Sequence, residues 1–256
     1  MKFFSLQSGS NGNSHFIKSN NAGILIDCGL SGAKTKRLLE ESGFSIEDVD
    51  GLIVTHEHID HISGVGVLAR MFRIPVYANR ETMFVTINKV NSFDASLMHF
   101  IYEPFTIGDM KITPFPVSHD AVDPFGYLVE SDGKKISFVT DTGMISDYVY
   151  ELTENSDLYF VESNFDPIML KNGPYTKDLQ MRVAGEFGHL SNFECAHYLI
   201  NSMGNRTKAV MIGHISYQNN NEILAKLTVE NILAENGFDV PVYVSSRFNK
   251  SEVISI

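Results

Sequence analysis

The stretch at 54–61, VTHEHIDH, holds four potential metal ligands within six residues: His56, His58, Asp60 and His61. Side chains two residues apart in extended backbone point to the same side, so His56 and His58 can share one ion. Asp60 and His61 lie where the chain is expected to turn into a helix, and this offset directs them to a neighbouring position. The stretch therefore predicts a pair of metal ions a few ångströms apart.

The sequence around this cluster places it at a strand-to-helix junction. Residues 51–55, GLIVT, form a short apolar run typical of a buried strand, and residues 65–72, VGVLARMF, have apolar residues at helical spacing. Polar residues also follow other strand-like runs: His119 follows KITPFPVS, Asp141 lies in VTDTG and His214 follows AVMIG. These three strand-end residues are the candidates for completing the metal site.

The number of donors decides between a metal site and structural histidines. A lone histidine at a strand end is more often a hydrogen-bonded structural residue than a ligand, whereas four donors within six residues would be costly to bury without partners. Each divalent ion needs three or four donors, so the cluster must recruit others. Five histidines and two aspartates fill two sites if one aspartate bridges, and Asp141 is the predicted bridge.

The pattern of elements predicts the fold class. Strands and helices alternate without a strict βαβ order, which favours two sheets packed together with helices outside, an α/β (α+β) architecture. Helices are predicted after Gly29 as far as Gly43, from the capping box at Ser191 to about 203, and over about 221–236. No linker or repeat divides the chain, so residues 1–256 are expected to form a single domain.

Composition restricts the classes of function. With a formal charge of −11 the protein is acidic, which argues against a broad sequence-independent surface for nucleic acid. No apolar run approaches the roughly 18 residues that span a bilayer, and the polar start is unlike a signal peptide, so a cytoplasmic protein without membrane contact is expected. Cys28 and Cys195 lack the spacing of a zinc site and are interpreted as packing residues.

The HEHIDH stretch resembles the signature HxHxDH of the metallo-β-lactamase superfamily. Further motifs are similar, in order, to those of its YycJ (WalJ) subfamily: SGSNGNS, ILIDCGLSG, VSHD, TDTG, VESNFD, GHLSN and GHISYQNNN. The resemblance covers nearly the whole chain. It implies an αββα sandwich of two mixed β-sheets flanked by helices, with a two-metal site on one rim. It also implies hydrolysis of phosphodiesters in nucleic acid, as a 5′ to 3′ double-stranded DNA exonuclease linked to mismatch repair.

The resemblance also implies how the ligands divide. One ion would be held by His56, His58 and His119, the other by Asp60, His61 and His214, with Asp141 between them. Asp60 would in addition orient the nucleophilic water. The nitrogen and oxygen donors suit two divalent ions of Zn, Mn or Fe, and the absence of a cysteine ligand disfavours a β-lactamase of the cysteine-ligand type.

Other residues acquire expected roles from their motifs. Glu162 and His189 resemble the pair in tRNA 3′-processing nucleases whose histidine protonates the leaving group; the alternative is that His189 only packs ahead of the Ser191 cap. Asp27 is expected to hydrogen-bond a ligand histidine. Possible phosphate contacts, which turn chemistry explains equally well, are Ser10, Asn11, Asn13, Asn219 and Asn220. Three histidines that match no metal motif are assigned to structure or surface: His15, His99 and His197.

Three functions remain open. The first is a metal-dependent DNA exonuclease, and the second is a hydrolase of a small ester, thioester, lactam or cyclic phosphodiester with the same metals. The third, a metal-stabilised interaction module, predicts missing ligands, and none is missing. An open groove flanked by basic residues would favour DNA, the candidates being Lys34, Lys36, Arg37 and Arg182. Because the surface is acidic, a protein partner that recruits the enzyme to DNA is expected; the oligomeric state stays open.

Overall fold

Alternate side chains of the first strand enter different cores, which shows how the layers are built. The computed structural model describes all 256 residues, Met1–Ile256. Phe3 lies in a central core shared by two sheets, whereas Phe4 and Leu6 face the opposite way into an outer core with helices. This follows from the two-residue period of a strand. The outer face of the second sheet is covered by helices in the same way.

Each sheet has seven strands and is mixed. The first sheet has the order β14-β1-β2-β3-β4-β5-β6, antiparallel from β14 to β3 and parallel from β3 to β6. Its strands are β1 Lys2–Gln7, β2 Ser14–Lys18, β3 Gly23–Ile26, β4 Gly51–Ile53, β5 Val76–Ala78, β6 Met98–Phe100 and β14 Ile254–Ser255. The second sheet has the order β13-β12-β11-β10-β9-β8-β7, parallel from β13 to β10 and antiparallel from β10 to β7. Its strands are β7 Phe105–Ile107, β8 Met110–Pro116, β9 Phe125–Ser131, β10 Lys134–Val139, β11 Leu158–Glu162, β12 Ala209–Gly213 and β13 Val242–Val244.

Nine α-helices accompany the sheets. They are α1 Gly32–Glu40, α2 Ile59–Ile62, α3 Val65–Phe72, α4 Arg80–Val90, α5 Asp147–Thr153, α6 Pro167–Asn172, α7 Lys177–Val183, α8 Asn192–Ser202 and α9 Glu222–Glu235. The predicted sandwich of two mixed sheets flanked by helices is confirmed. None of these helices combines the length and the apolar character needed to cross a lipid bilayer.

Local sequence signals explain the predicted helices but not all observed ones. The capping box at α8 forms as expected: the Ser191 hydroxyl accepts from the Glu194 amide, and the Glu194 carboxylate accepts from the Ser191 amide. The sequence patterns predict none of α4 to α7. Helix α4 contains RETMFVTINKV, whose β-branched residues favour strand by themselves, and it is helical here with Asn79 as its N-cap.

The parallel parts of the two sheets direct their carboxyl ends to one rim. Strands β3 and β4 end there in the first sheet, and β10, β11 and β12 end there in the second. Loops after the carboxyl ends of strands are where α/β proteins usually place ligands. This rim carries the residues described next.

Candidate metal centre

The residues predicted as metal ligands converge at the rim, although they come from distant parts of the sequence. Ligand atoms of His56, His58 and His119 lie within 4.8 Å of one another, and so do those of Asp60, His61 and His214. Asp141 lies within the same distance of both His56 and His61, and it also forms a group with His119 and His189. These are the two predicted sets of donors, with Asp141 adjoining both.

Buried polar atoms without partners show that the cluster fits divalent cations. His56 Nε2, His119 Nε2 and Asp141 Oδ2 are inaccessible to solvent and have no hydrogen-bond partner. Buried side-chain polar atoms nearly always have a hydrogen-bond partner. Three such atoms without a partner in one cluster therefore indicate a site for a bound ligand. Imidazole nitrogens and a carboxylate oxygen are donors that Zn, Mn and Fe accept.

Three histidines are held through Nδ1, which leaves Nε2 without a partner in His56 and His119, while Nε2 of His61 lies 3.0 Å from the Asn13 amide nitrogen. His61 Nδ1 donates to Asp27 Oδ2 at 2.7 Å, because a carboxylate can only accept. His119 Nδ1 donates to the Gly188 carbonyl at 3.2 Å. In His56 the Nδ1 atom lies 2.9 Å from Thr55 Oγ1. Metal-binding histidines are usually fixed in this way, with Nε2 left for the ion.

Thr55 connects two of these histidines to one carboxylate. Its hydroxyl donates to Asp27 Oδ2 at 2.8 Å, so it accepts from His56, and its amide donates to Asp27 Oδ1 at 2.8 Å. Asp27 is fully buried. Through these hydrogen bonds it holds His61 directly and His56 by way of Thr55. The predicted contact between Asp27 and a candidate ligand histidine is present. The role of Thr55 was not predicted, although its position directly before the first histidine of the motif was an available signal.

The electrostatics of the cluster favour positive charge. Burial lowers the pKa of His61, but Asp141 and Asp27 outweigh burial and raise that pKa to about 10. Burial raises the pKa of Asp141, whereas His214, His61 and His56 together hold it well below its usual range. Protons and metal ions compete for the same donors, so the carboxylates that favour a proton on His61 would also stabilise a cation.

Glu162 and His189 face each other beside the metal ligands. Glu162 is fully buried at the end of β11, and its Oε2 accepts from His189 Nδ1 at 2.9 Å. Its Oε1 accepts from the Thr142 amide at 2.7 Å, so the carboxylate is fixed from both sides. Burial by itself lowers the pKa of His189, but Glu162 outweighs burial and raises that pKa to about 9. His189 therefore has a buried carboxylate partner in addition to its place ahead of the α8 cap.

Three residues of the site have left-handed backbone at strand ends. Asp27, Asp141 and His214 have φ values of 59°, 55° and 51°. Residues other than glycine rarely adopt this conformation, although Asp and His do so more often than most, and such strain concentrates at functional sites. No sequence pattern predicts this shared conformation.

The predicted phosphate contacts occupy different positions. Ser10 lines the metal cleft, and Asn220 lines a neighbouring cleft. Asn13 is buried, with its amide directed at Asp60 and His61, and the fully buried Asn219 lines neither cleft. The burial of Asn13 and Asn219 argues against direct contact with phosphate and favours a role in holding the loops around the site. Exposed Asn11 lies in the tight turn at 9–12.

The cleft over the metal ligands measures about 430 Å³. Of the four basic residues that were candidates to flank it, Arg182 alone lines it, where it pairs with Asp120. Lys36 pairs instead with Glu40 of α1, Arg37 pairs with Glu41 directly after that helix, and Lys34 bonds Gln7. The groove flanked by four basic residues, which would favour DNA, is therefore not formed.

The remaining histidines and both cysteines lie outside the ligand sets. His15 is buried among phenylalanines of the central core, where burial lowers its pKa well below the usual range. His99 stacks on Tyr77 at the edge of the first sheet, and His197 lies on α8. Cys28 and Cys195 are buried and unpaired, as the interpretation as packing residues requires.

Two packed mixed sheets with a histidine and aspartate cluster on their common rim define the class: a metal-dependent hydrolase of the metallo-β-lactamase fold. The chain matches the family described as "Beta-lactamase superfamily domain" over residues 23–215. It is 42% identical over 254 residues to "Exodeoxyribonuclease WalJ" of Streptococcus pneumoniae, covering 96% of this chain and 94% of that protein. It is 35% identical to "Exodeoxyribonuclease YycJ" of Bacillus anthracis, covering 94% and 92%. The chain belongs to the beta-lactamase superfamily, and within it to the group of WalJ and YycJ.

Solved structures agree on the fold. The metallo-beta-lactamase fold protein YhfI from Bacillus subtilis superposes with a TM-score of 0.72 at 17% identity, covering 99% of this chain and 98% of that one. The short form of human tRNase Z gives a TM-score of 0.67 at 18% identity, covering 100% and 99%. At these identities the likeness shows the fold alone.

Proposed function

We propose that this chain is a dinuclear metal-dependent phosphodiesterase that degrades double-stranded DNA from the 5′ end. The observation that carries the proposal is the complete set of histidine and aspartate donors in a chain that matches two proteins named exodeoxyribonuclease over more than nine-tenths of their lengths. Hydrolysis at this rim would need no further residue type, since candidate metal ligands and a histidine suited to act as an acid lie together.

In this proposal two divalent ions would be held at the rim. His56, His58 and His119 would hold one, and Asp60, His61 and His214 would hold the other. Asp141 would contribute to both sites, which is supported by its proximity to both sets. Bound ions of Zn, Mn or Fe would supply Lewis acidity, activating water and stabilising charge on the phosphate.

The protein's own side chains divide the remaining work. Asp60 accepts from the Asn13 amide at 3.3 Å and orients the attacking water. His189 donates through Nδ1 to Glu162, so Nε2 is the nitrogen that delivers a proton to the leaving oxygen. Asp27 keeps His61 in position through the 2.7 Å hydrogen bond. Ser10, on the cleft wall, contacts phosphate.

The proposed cellular setting follows from the charge and the relatives. A chain with a formal charge of −11 gains little from unaided attraction to DNA, which supports recruitment by a protein partner. We place the enzyme in the cytoplasm, acting in mismatch repair on DNA exposed at a break or nick.

The test compares polymers with small substrates. Wild-type protein loaded with Mn or Zn is incubated with duplex DNA labelled at either end, single-stranded DNA, RNA, and a panel of ester, thioester, lactam and cyclic phosphodiester substrates. An Asp60→Ala variant purified in parallel controls for contaminating nucleases. We expect duplex DNA to shorten from its 5′ end with wild type alone. Equal degradation by both proteins, or turnover confined to a small substrate, would overturn the proposal.

A further inference from the structure

A second cleft of about 560 Å³ lies beside the metal cleft. The two clefts share Ser216 as a lining residue. The loop after β1 separates them, since Ser8 lines the second cleft and Ser10 lines the metal cleft. A ligand bound over the metal ligands therefore has an adjoining space into which it can extend.

The second cleft presents flat, exposed rings and one guanidinium. Arg247 lies over the Tyr217 ring, with its guanidinium carbon 4.9 Å from the ring centroid. Tyr217 is 71% exposed and Phe248 is 64% exposed. Single exposed aromatic residues are common on protein surfaces, but here two of them line one cleft together with a stacked cation. We call Tyr217, Arg247 and Phe248 the Tyr217 platform.

The platform is fixed relative to the metal site. Arg247 Nη2 donates to the carbonyl of Ile215 at 2.6 Å, and Ile215 directly follows the ligand His214. The amide of His214 donates to Ser8 Oγ at 2.8 Å, and the Ser8 amide donates to the Ser246 carbonyl at 3.1 Å. Tyr217 is three residues beyond His214, at most about 11 Å of extended chain. The backbone of Tyr217 therefore lies within about 11 Å of that of the proposed ligand His214, a separation that one or two nucleotides can span.

The charges of this cleft suit a nucleotide. Arg247 is its single cationic lining residue and Glu222 its single acidic one. In a chain with a formal charge of −11, a guanidinium beside an exposed ring offers both a phosphate contact and a stacking surface. Aromatic rings beside cations are how proteins bind the bases of single strands without reading sequence.

We propose that the Tyr217 platform receives the base of an unpaired nucleotide next to the phosphate being cleaved, stacked on Tyr217 with Arg247 beside its backbone. This inference rests on the proposed DNA exonuclease function. A duplex end must open before its terminal phosphates can enter the metal cleft, and opening costs a few kcal/mol per base. Stacking on the platform offsets that cost and separates the degraded strand from its complement.

The experiment combines a protein variant with a DNA variant. KM is measured for wild type, Tyr217→Ala and Tyr217→Phe on a 5′-phosphorylated duplex, and on duplexes with an abasic site at the first, second or third nucleotide. We expect Tyr217→Ala to raise KM about 5- to 100-fold, the range of base-stacking losses, and Tyr217→Phe to change it by less than about twofold. At one abasic position the difference between wild type and Tyr217→Ala should disappear.

Controls separate the possible failures. Tyr148→Ala removes a half-exposed tyrosine of α5 that lines neither cleft and should leave KM unchanged. Methyl p-nitrophenyl phosphate, which carries no base, should be hydrolysed equally by all variants, and thermal unfolding checks that they fold. An unchanged KM for Tyr217→Ala, or a loss that persists at every abasic position, would overturn the stacking role while leaving the nuclease intact. Hydrolysis of the small diester without cleavage of any DNA would instead overturn the proposed function, and this inference with it.

Discussion

At the scale of single residues, the positions of two proposed ligands depend on Asp27. This buried carboxylate accepts from His61 and from Thr55, and Thr55 in turn accepts from His56. Because each ring is held through Nδ1, the Nε2 atoms are already directed to where a cation would be held. Such preorganisation reduces the free energy that metal binding must supply for ordering the site.

Replacing Thr55 by Val should weaken metal binding about 10- to 100-fold, as loss of a supporting hydrogen bond to a ligand typically does. Valine keeps the shape of threonine but leaves His56 Nδ1 without its partner. Competition with a chromogenic chelator measures the affinity. Thr55→Ser retains the hydroxyl and serves as the matched control, which should bind close to the wild-type level. Equal affinities for Val and wild type would show that the relay has no effect on the metals.

Replacing His189 by Ala should slow cleavage of DNA about 10²- to 10⁴-fold, the usual contribution of a general acid. A p-nitrophenolate leaves without needing a proton, so hydrolysis of methyl p-nitrophenyl phosphate should change far less. Bound metal, measured by mass spectrometry, should stay at the wild-type level. Loss of metal would make His189 a ligand instead, and equal losses of rate on both substrates would exclude the role of acid.

At the scale of elements, the site is held by backbone contacts between the loops that follow the strands. The Asn13 amide donates to the Asp60 carbonyl, and the Cys28 amide donates to the His61 carbonyl, so loops after β1 and β3 both support α2. Gly29 packs so closely here that an added Cβ would lie 1.6 Å from the Asp60 carbonyl oxygen. Only glycine fits this approach.

Helix α8, which follows His189, depends on its capping box. Ser191→Ala removes the hydroxyl that accepts from the Glu194 amide and should lower the free energy of unfolding by ~1 kcal/mol. The loss appears as a lower urea midpoint with an unchanged slope. Ser146→Ala at α5 is the comparison: that cap makes a single, longer contact of 3.4 Å and no box, so its loss should be smaller. An unchanged midpoint for Ser191→Ala would contradict this account of the helix start.

At the scale of the whole molecule, the formal charge of −11 and the metal site are connected. Asp27, Asp60, Asp141 and Glu162 lie in or beside the site and contribute to that charge. Two divalent ions would cancel four of the negative charges and place positive potential where a phosphate is expected. The formal net charge of the whole chain therefore describes the charge at the site poorly.

Removing metal should lower the thermal stability of the protein. Ions that bind the folded state alone stabilise it by mass action, by about 4 kcal/mol when free metal exceeds its Kd a thousandfold. The unfolding temperature should rise with added Mn or Zn and fall with a chelator. An Asp141→Ala variant, which lacks the proposed bridge, should respond much less. An unfolding temperature that is independent of metal would contradict binding at the buried cluster.

Binding of duplex DNA by the purified protein should be weak and should weaken further with salt. Each phosphate neutralised by a basic residue lowers the logarithm of affinity by about 0.9 per logarithm of salt concentration, and few basic residues line the two clefts. Fluorescence anisotropy with metal-loaded Asp60→Asn protein at several salt concentrations measures this slope. Tight binding that salt does not change would contradict the expectation that the protein depends on its metals and a recruiting partner.

Sequence predicted much of the fold, and for identifiable reasons. The capping box at Ser191 and the histidine motif at 54–61 act through neighbouring residues, so their structure can be inferred locally. Helix α4 was missed because its β-branched residues favour strand, and its helical conformation depends on packing against α3 and β6. No local pattern shows whether the basic residues of α1 flank the cleft, because the direction of a helix face depends on how the helix docks.

The sequence by itself determined which candidate donors the site contains, since chemistry and spacing within HEHIDH predict a metal site and the strand-end residues supply further donors. The orientation of those donor side chains was decided by the tertiary structure alone. Thr55 becomes a relay, Asp27, Asp141 and His214 adopt left-handed backbone, and Tyr217 comes to lie beside the metal cleft. Hydrogen bonds and contacts between residues far apart in the chain fix these features, so no local pattern records them.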